Sequence, residues 1–325
     1  MTKARFVLCV LLIAVFAAFA AFNGVLAQGA PPSASGLLIY NAWVRPTAAA
    51  LTDGATAQPP IPGTVSGAYM TIENTGSTDV QLVGVSDNLA QMSMLHQTTM
   101  DSKGVMSMQP IPSLAIPAGK TVALDTSDYH VMLENVFNDI YPGEAVALTL
   151  TFKDSGGATF SIPVGAIAGD NPPAADPLIV ANAIAQPDAS NPQALDVSLI
   201  FDNIGTQGDT LTGASSTTAS SAALMHFSQS GIAPFASIYV PPQAQTILTP
   251  QTAFIQVSGL AAIATPDATA ATMSMSMPAA TQASMSMPAS TEAPAALSSV
   301  AFPLTLTFQS GKTITIAVPV TGAAS

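Results

Sequence analysis

Residues 147–152 read ALTLTF, and residues 304–308 repeat the last five letters as LTLTF. In both places apolar and hydroxyl side chains alternate with period two. A strand with one face in a core has this pattern and a helix does not. Similar runs fill the chain from Leu37 onward, among them Tyr69-Met70-Thr71-Ile72 and Val80-Gln81-Leu82-Val83, with Gly, Pro, Asn and Asp between them. The texture predicts an all-β protein, a sandwich or barrel. Helical periodicity occurs only in the first segment.

The two copies belong to a longer, looser repeat. Asn41-Ala42 with Pro46 returns as Asn182-Ala183 with Pro187, and Glu73-Asn74-Thr75-Gly76 as Asp202-Asn203-Ile204-Gly205. Met94-Leu95-His96 has a counterpart in Leu224-Met225-His226. Pro163-Val164 follows Phe152 at the spacing with which Pro319-Val320 follows Phe308. Matches in register predict a duplicated domain, with copies at 37–168 and 177–322 and a joint at 169–176. With Phe254 taken as the counterpart of His130, the anchors place a gain of 32 residues in the second copy before Phe308. The insertion near 262–298 contains MSMSMPAATQASMSM at 273–287, which holds five of the fourteen methionines.

The first residues have a secretory layout. Lys3 and Arg5 precede the apolar run Phe6–Phe22, and Val25-Leu26-Ala27 supplies small residues for cleavage. A signal peptide over 1–27 and a Pro/Ser/Ala linker over 28–36 are expected, with an uncleaved anchor as the alternative. The rest is expected outside the cytoplasm: in the periplasm, at the cell surface or secreted.

The single cysteine, Cys9, lies inside this leader. The mature chain then has no thiol, which excludes disulfides, thiolate zinc sites, cysteine nucleophiles and the cysteine ligand of blue copper. Loss of Lys3 and Arg5 leaves five basic residues against nineteen acidic ones, a formal charge near −14. Such a surface repels nucleic acid and anionic lipid, so membrane contact is expected only through an uncleaved leader.

Only three histidines occur: His96, His130 and His226. Two of them stand beside methionines, in Met92-Ser-Met94-Leu-His96 and His130-Val-Met132, with Met106-Ser-Met108 between. Residues two apart in a strand face the same way, so His130 and Met132 can address one centre. Imidazole with thioether suits a soft cation, Cu(I) above all, and serves zinc or calcium poorly.

Over roughly Tyr40 to Val164 the chain resembles the periplasmic PCu(A)C-type copper chaperones. The resemblance is carried by Asn41-Ala42-Trp43-Val44-Arg45-Pro46 and by Ala68-Tyr69-Met70-Thr71-Ile72-Glu73-Asn74-Thr75-Gly76. The family's metal motif is a His, a Met about eleven positions on, 21 residues, then His-x-Met. Here His96 is followed after twelve positions by Met108, and residues 109–129 lead to His130-Val131-Met132. The extra residue falls in the turn Asp101-Ser102-Lys103-Gly104.

The resemblance implies tandem cupredoxin-like Greek-key β-sandwiches and a Cu(I) site of His96, Met108, His130 and Met132. It also implies delivery of the ion to an acceptor, another copper chaperone or a cytochrome c oxidase subunit carrying the dicopper centre. Met94, Met100 and Met106 are further candidates near that site, and Trp43 is expected to pack. In the second copy His226 is matched to His96, but Phe254 and Gln256 replace His130 and Met132, so no such site is expected there.

The insertion places Met273, Met275 and Met277 in one cluster and Met285 and Met287 in another. Both are expected to hold Cu(I) loosely. No nucleophile motif such as G-x-S-x-G supports an enzyme. The rival reading is an exported structural or adhesion protein of tandem β-sandwiches without metal function.

Overall fold

The computed structural model describes residues 35–49, 61–191, 193–228, 231–260 and 300–322. The leader, most of the linker at 28–36, and the segment with Met273, Met275, Met277, Met285 and Met287 lie outside the described residues. Among the described residues the chain is all-β.

Ten strands form the first half. They are β1 (Leu37–Val44), β2 (Val65–Asn74), β3 (Val80–Asp87), β4 (Ala90–Met100), β5 (Met106–Pro110), β6 (Leu114–Ile116), β7 (Thr121–Leu124), β8 (Tyr129–Val136), β9 (Ala145–Asp154) and β10 (Thr159–Ala168). Ten more follow: β11 (Leu178–Pro187), β12 (Ala194–Asn203), β13 (Asp209–Ser215), β14 (Ser221–Ser228), β15 (Gly231–Pro234), β16 (Ile238–Val240), β17 (Ala244–Leu248), β18 (Ala253–Ser258), β19 (Ala301–Phe308) and β20 (Thr313–Pro319).

In the first half the strand order is β5-β4-β8-β2-β1-β10-β9-β3-β6, with β7 also on β2. β1 joins the two layers. It runs antiparallel to β2, and its last residues pair in parallel with β10 through Trp43↔Ile167 and Val44↔Ala168. A register shift between Tyr40 and Trp43 precedes the residues that pair on both sides, with Asn41 at φ 52° in the left-handed region. Asparagine tolerates that region better than most residues, and the bulge bends the strand.

The second half follows the same order in two sheets, β11-β12-β18-β14-β15 with β17 on β12, and β16-β13-β19-β20. Asn182, at φ 50°, occupies the place of Asn41, beside a register shift between Ala181 and Ile184. A single parallel bridge, Ala185↔Val320, stands where β1 meets β10.

The alternating runs build the cores. Leu148, Leu150 and Phe152 of β9 are buried, as are Leu304, Leu306 and Phe308 of β19. Phe152 stands opposite Leu82, and Phe308 opposite Leu211. The other face of β9 is not left to water, for Ala147 and Thr149 are buried too. Ala147 packs with Ala301 and Ala317, with Ala145 and Ile167 around them. Small residues let the two sandwiches approach closely, and Gly165 needs it most. A methyl group there would strike the backbone of Ala317.

A second contact joins β1 and β11. Asn182 accepts from the Ile39 amide at 2.9 Å and donates to the Leu37 carbonyl at 2.6 Å. Leu38, Ile179, Ala181 and Ile200 close over this junction. Lys312 bonds Asp176 at 2.8 Å, half-exposed, and such a pair contributes about 0–1 kcal/mol.

The second half also buries two carboxyl groups, Asp188 and Asp196. Gln256 donates to Asp188 at 2.8 Å and to Asp196 at 3.3 Å. Burial pushes Asp196 up to about 6; the Gln256 amide opposes this and the charge of Asp188 adds to it. Burial acts in the same direction on Asp188, but hydrogen bonds from Ser190 and Asn191 outweigh it and hold that carboxyl below the usual range.

Two predictions follow from these contacts. The folded pKa of Asp196 lies above its unfolded value of about 4, so its proton stabilises the fold below that pH. The contribution is lost as pH rises through 6. Asp196→Asn should therefore raise the Tm at pH 7.5 by about 2–4 °C and flatten the pH dependence between 4 and 7, read by calorimetry. Gly165→Val should force the sandwiches apart at a cost of about 1–3 kcal/mol, with one calorimetric transition splitting into two.

Candidate metal site

The candidate site is set by strand register. On β4 and β8, His96 stands opposite His130 and Met94 opposite Met132. On β4 and β5, His96 stands opposite Pro110, Thr98 opposite Met108 and Met100 opposite Met106. Alternate residues share a face, so Met92, Met94, His96, Thr98 and Met100 of β4 lie on one side. His130 and Met132 of β8, and Met106 and Met108 of β5, join them there. Leu95, Val131 and Leu133 project the other way into the core.

The histidines end an aromatic row that crosses the sheet. Trp43 of β1 stacks on Tyr69 of β2 with ring centroids 4.4 Å apart. Tyr69 lies 6.3 Å from His130, and His130 lies 5.8 Å from His96, edge to face at 62°. Gly67, opposite Met132, leaves room for this row, because a methyl group there would run into the Tyr69 ring. Trp43 is thus a packing residue one ring removed from the histidines. Tyr69 and Gly67 were not legible as site residues, since their places depend on which strands become neighbours.

His96 is 8% exposed and His130 4%. Both ring nitrogens of His96 are buried and have no hydrogen-bond partner. A buried polar atom without a partner costs about 1–3 kcal/mol, and both nitrogens are free to take one. His130 places Nδ1 3.4 Å from the Asp128 carbonyl oxygen. With Nδ1–H donating there, Nε2 keeps its lone pair. Burial lowers the His130 pKa, the Asp128 carbonyl opposes that, and His96 and Arg45 lower it further. The balance favours the neutral imidazole, the form that binds metal.

Two buried imidazoles beside two partly buried thioethers make a soft, uncharged donor set. Among the described residues no group of three His, Cys, Asp or Glu side chains is placed to share an ion. The donors suit Cu(I) rather than a hard cation. Of the expected residues, the structure gathers His96, His130, Met132 and Met94 in two adjacent rows. Met108, 55% exposed, stands one row outward on β5. Met106, 61% exposed, stands a further row out, opposite Met100 at 71%.

The second half corrects one expected match. Met225 of β14 pairs with Phe254 of β18 and with Pro234 of β15, the pattern that His96 makes with His130 and Pro110. Met225, not His226, therefore occupies the His96 place. His226 corresponds to Gln97 and packs its ring on Phe235, with centroids 4.9 Å apart. The match of Met94-Leu95-His96 to Leu224-Met225-His226 was out by one position, which the pairing of strands decides and the letters do not. Ala223 and Gln256 fill the places of Met94 and Met132, and Asp196 that of Gly67.

Residues 37–164 match the family model described as "Putative lipoprotein LpqE-like". The curated protein "Putative lipoprotein Lxx21020" of Leifsonia xyli subsp. xyli (strain CTCB07) is 30% identical over 146 residues, which are 45% of this chain and 79% of that protein. Two solved structures align with similar extents. The solution structure of apo-DR1885 from Deinococcus radiodurans is 29% identical, over 46% of this chain and 91% of that one, at a TM-score of 0.30. The copper-bound PCuAC domain from PmoF2 is 17% identical, over 41% and 94%, at a TM-score of 0.27. The chain belongs to the LpqE-like family, and the matched segment is the half that carries the His96–His130 pair.

Proposed function

We propose that this protein is an extracytoplasmic copper carrier, with two PCu(A)C-type domains at 37–168 and 177–322. The first binds Cu(I) through His96, His130, Met132 and Met108. The observation that carries this reading is the buried, unpartnered imidazole of His96 facing His130, with thioethers in the rows on either side. Neutral donors leave the ion its single charge and disfavour Cu(II), so the site holds copper without activating it. The chain acts as a carrier and not a catalyst. It passes the ion to an acceptor protein, and by resemblance that acceptor is the dicopper centre of cytochrome c oxidase or a second chaperone.

Met94, opposite Met132, is a spare thioether within reach of the same centre. Cu(I) titration against a competing chelator tests the arrangement. Wild type should bind one ion tightly, and His130→Ala should weaken it about 100-fold, or ~2.7 kcal/mol. Met94→Leu and Met108→Leu should each cost less than about tenfold, because the other thioether substitutes, while the double variant should lose about 100-fold. Binding no tighter than that of an unrelated β-sandwich would leave the structural or adhesion reading.

Tight binding should hold from pH 8 down to about pH 6 and decline below it, as protons compete for the imidazoles. Burial lowers the pKa of His130, so its imidazole stays neutral to a lower pH than a free one and remains open to the metal there. Affinity measured across that range checks this. Deleting residues 273–287 should remove weakly bound copper and leave the tight equivalent, read as stoichiometry at saturating Cu(I).

A further inference from the structure

We propose that Met100 and Met106 form a second, outer Cu(I) site on the β4–β5 hairpin, with Met108 the sulfur it shares with the tight site, through which the ion enters and leaves the histidine pair. The proposal rests on the copper-carrier reading only for its role in exchange, since the site has its own geometry. Met100 and Met106 are direct cross-strand partners at the turn end of the hairpin, and Met108 is two residues along β5 on the same face. Directly opposed residues have Cβ atoms about 5 Å apart, within which flexible thioethers converge on one ion.

The turn fixes this spacing. The Asp101 side chain accepts from the amides of Lys103 at 2.8 Å and Val105 at 2.9 Å. The Asp101 amide donates to the Val105 carbonyl at 2.9 Å, and Gly104 adopts the positive φ of 80° that closes the loop. The strand ends that carry Met100 and Met106 are thus held together before any ion arrives.

Exposure points the same way. All five residues of β5 are exposed, and Met100, Met106 and Met108 are exposed large apolar side chains near the turn, along with Val105 at 60%. Exposed thioethers bury no area and invite oxidation, so packing does not explain them. They share the face of His96 and His130, with only the Thr98–Met108 row between the hairpin end and the buried pair. A cation held by these neutral sulfurs at the surface therefore lies on the order of 10 Å from the deeper site, with Met108 between the two. Soft donors select Cu(I) or its analogue Ag(I) over zinc, calcium and magnesium.

The test uses the full chain with 13C-labelled methionine methyls, titrated with Ag(I) and followed by NMR, the resonances being assigned through Met→Leu variants. The first equivalent should move Met132, and further ion should move Met100 and Met106. Met100→Leu/Met106→Leu should leave the affinity of the tight site unchanged and slow copper transfer to a chelator by about tenfold. In His130→Ala, the Met100 and Met106 methyls should still respond although tight binding is lost. If those two methyls stay still through excess Ag(I) while the tight site fills, the outer site is overturned and the carrier reading stands. If they respond while no tight site is found, the carrier reading falls and the outer site remains.

Discussion

His96 faces His130 because β4 lies on β8 in one register, and everything proposed for this chain depends on that pairing. Side chains alternate along a strand, so a slip of β4 by one residue would turn His96 and Met94 into the core and away from His130 and Met132. The apolar partners prevent the slip. Leu95 opposite Val131 is buried on the inner face, and Leu133 is buried two residues on. Core burial thus fixes the row of imidazole and thioether side chains on the outer face.

The second half has the same pairing with other letters. Leu224 opposite Ile255 repeats the buried pair, and Met225 opposite Phe254 takes the histidines' place. The register survives and the donors do not. Where the first half leaves Gly67 bare for the Tyr69 ring, the second carries Asp196, bonded through Gln256 beside Asp188. One scaffold therefore supports a soft donor set and a buried carboxyl–amide cluster, because both need only side chains presented from fixed rows.

The joint between the halves explains a mismatch between pattern and burial. ALTLTF suggests one wet face, but Ala147 and Thr149 are buried, Ala147 against Ala301 of β19 and Ala317 of β20. Glycine and alanine at such a contact carry almost no hydrophobic signal, so the interface is nearly silent in the sequence. Asn182 is a related case. Its side chain bonds two backbone groups of β1 at a distance of 143 and 145 residues along the chain.

Alternation of apolar and polar residues by itself determined that the chain is all-β, since period two is a local property of each strand. The residue types also favour a soft metal over a hard one, because His and Met stand together and the single cysteine is Cys9. Tertiary structure decided which donors meet. It placed Met94 beside Met132, moved Met108 and Met106 outward along the hairpin, and set Met225 rather than His226 at the corresponding place in the second half. Letters and spacings record order along one strand, but a site is made across strands, and only the hydrogen-bonded register between them says which residues become neighbours.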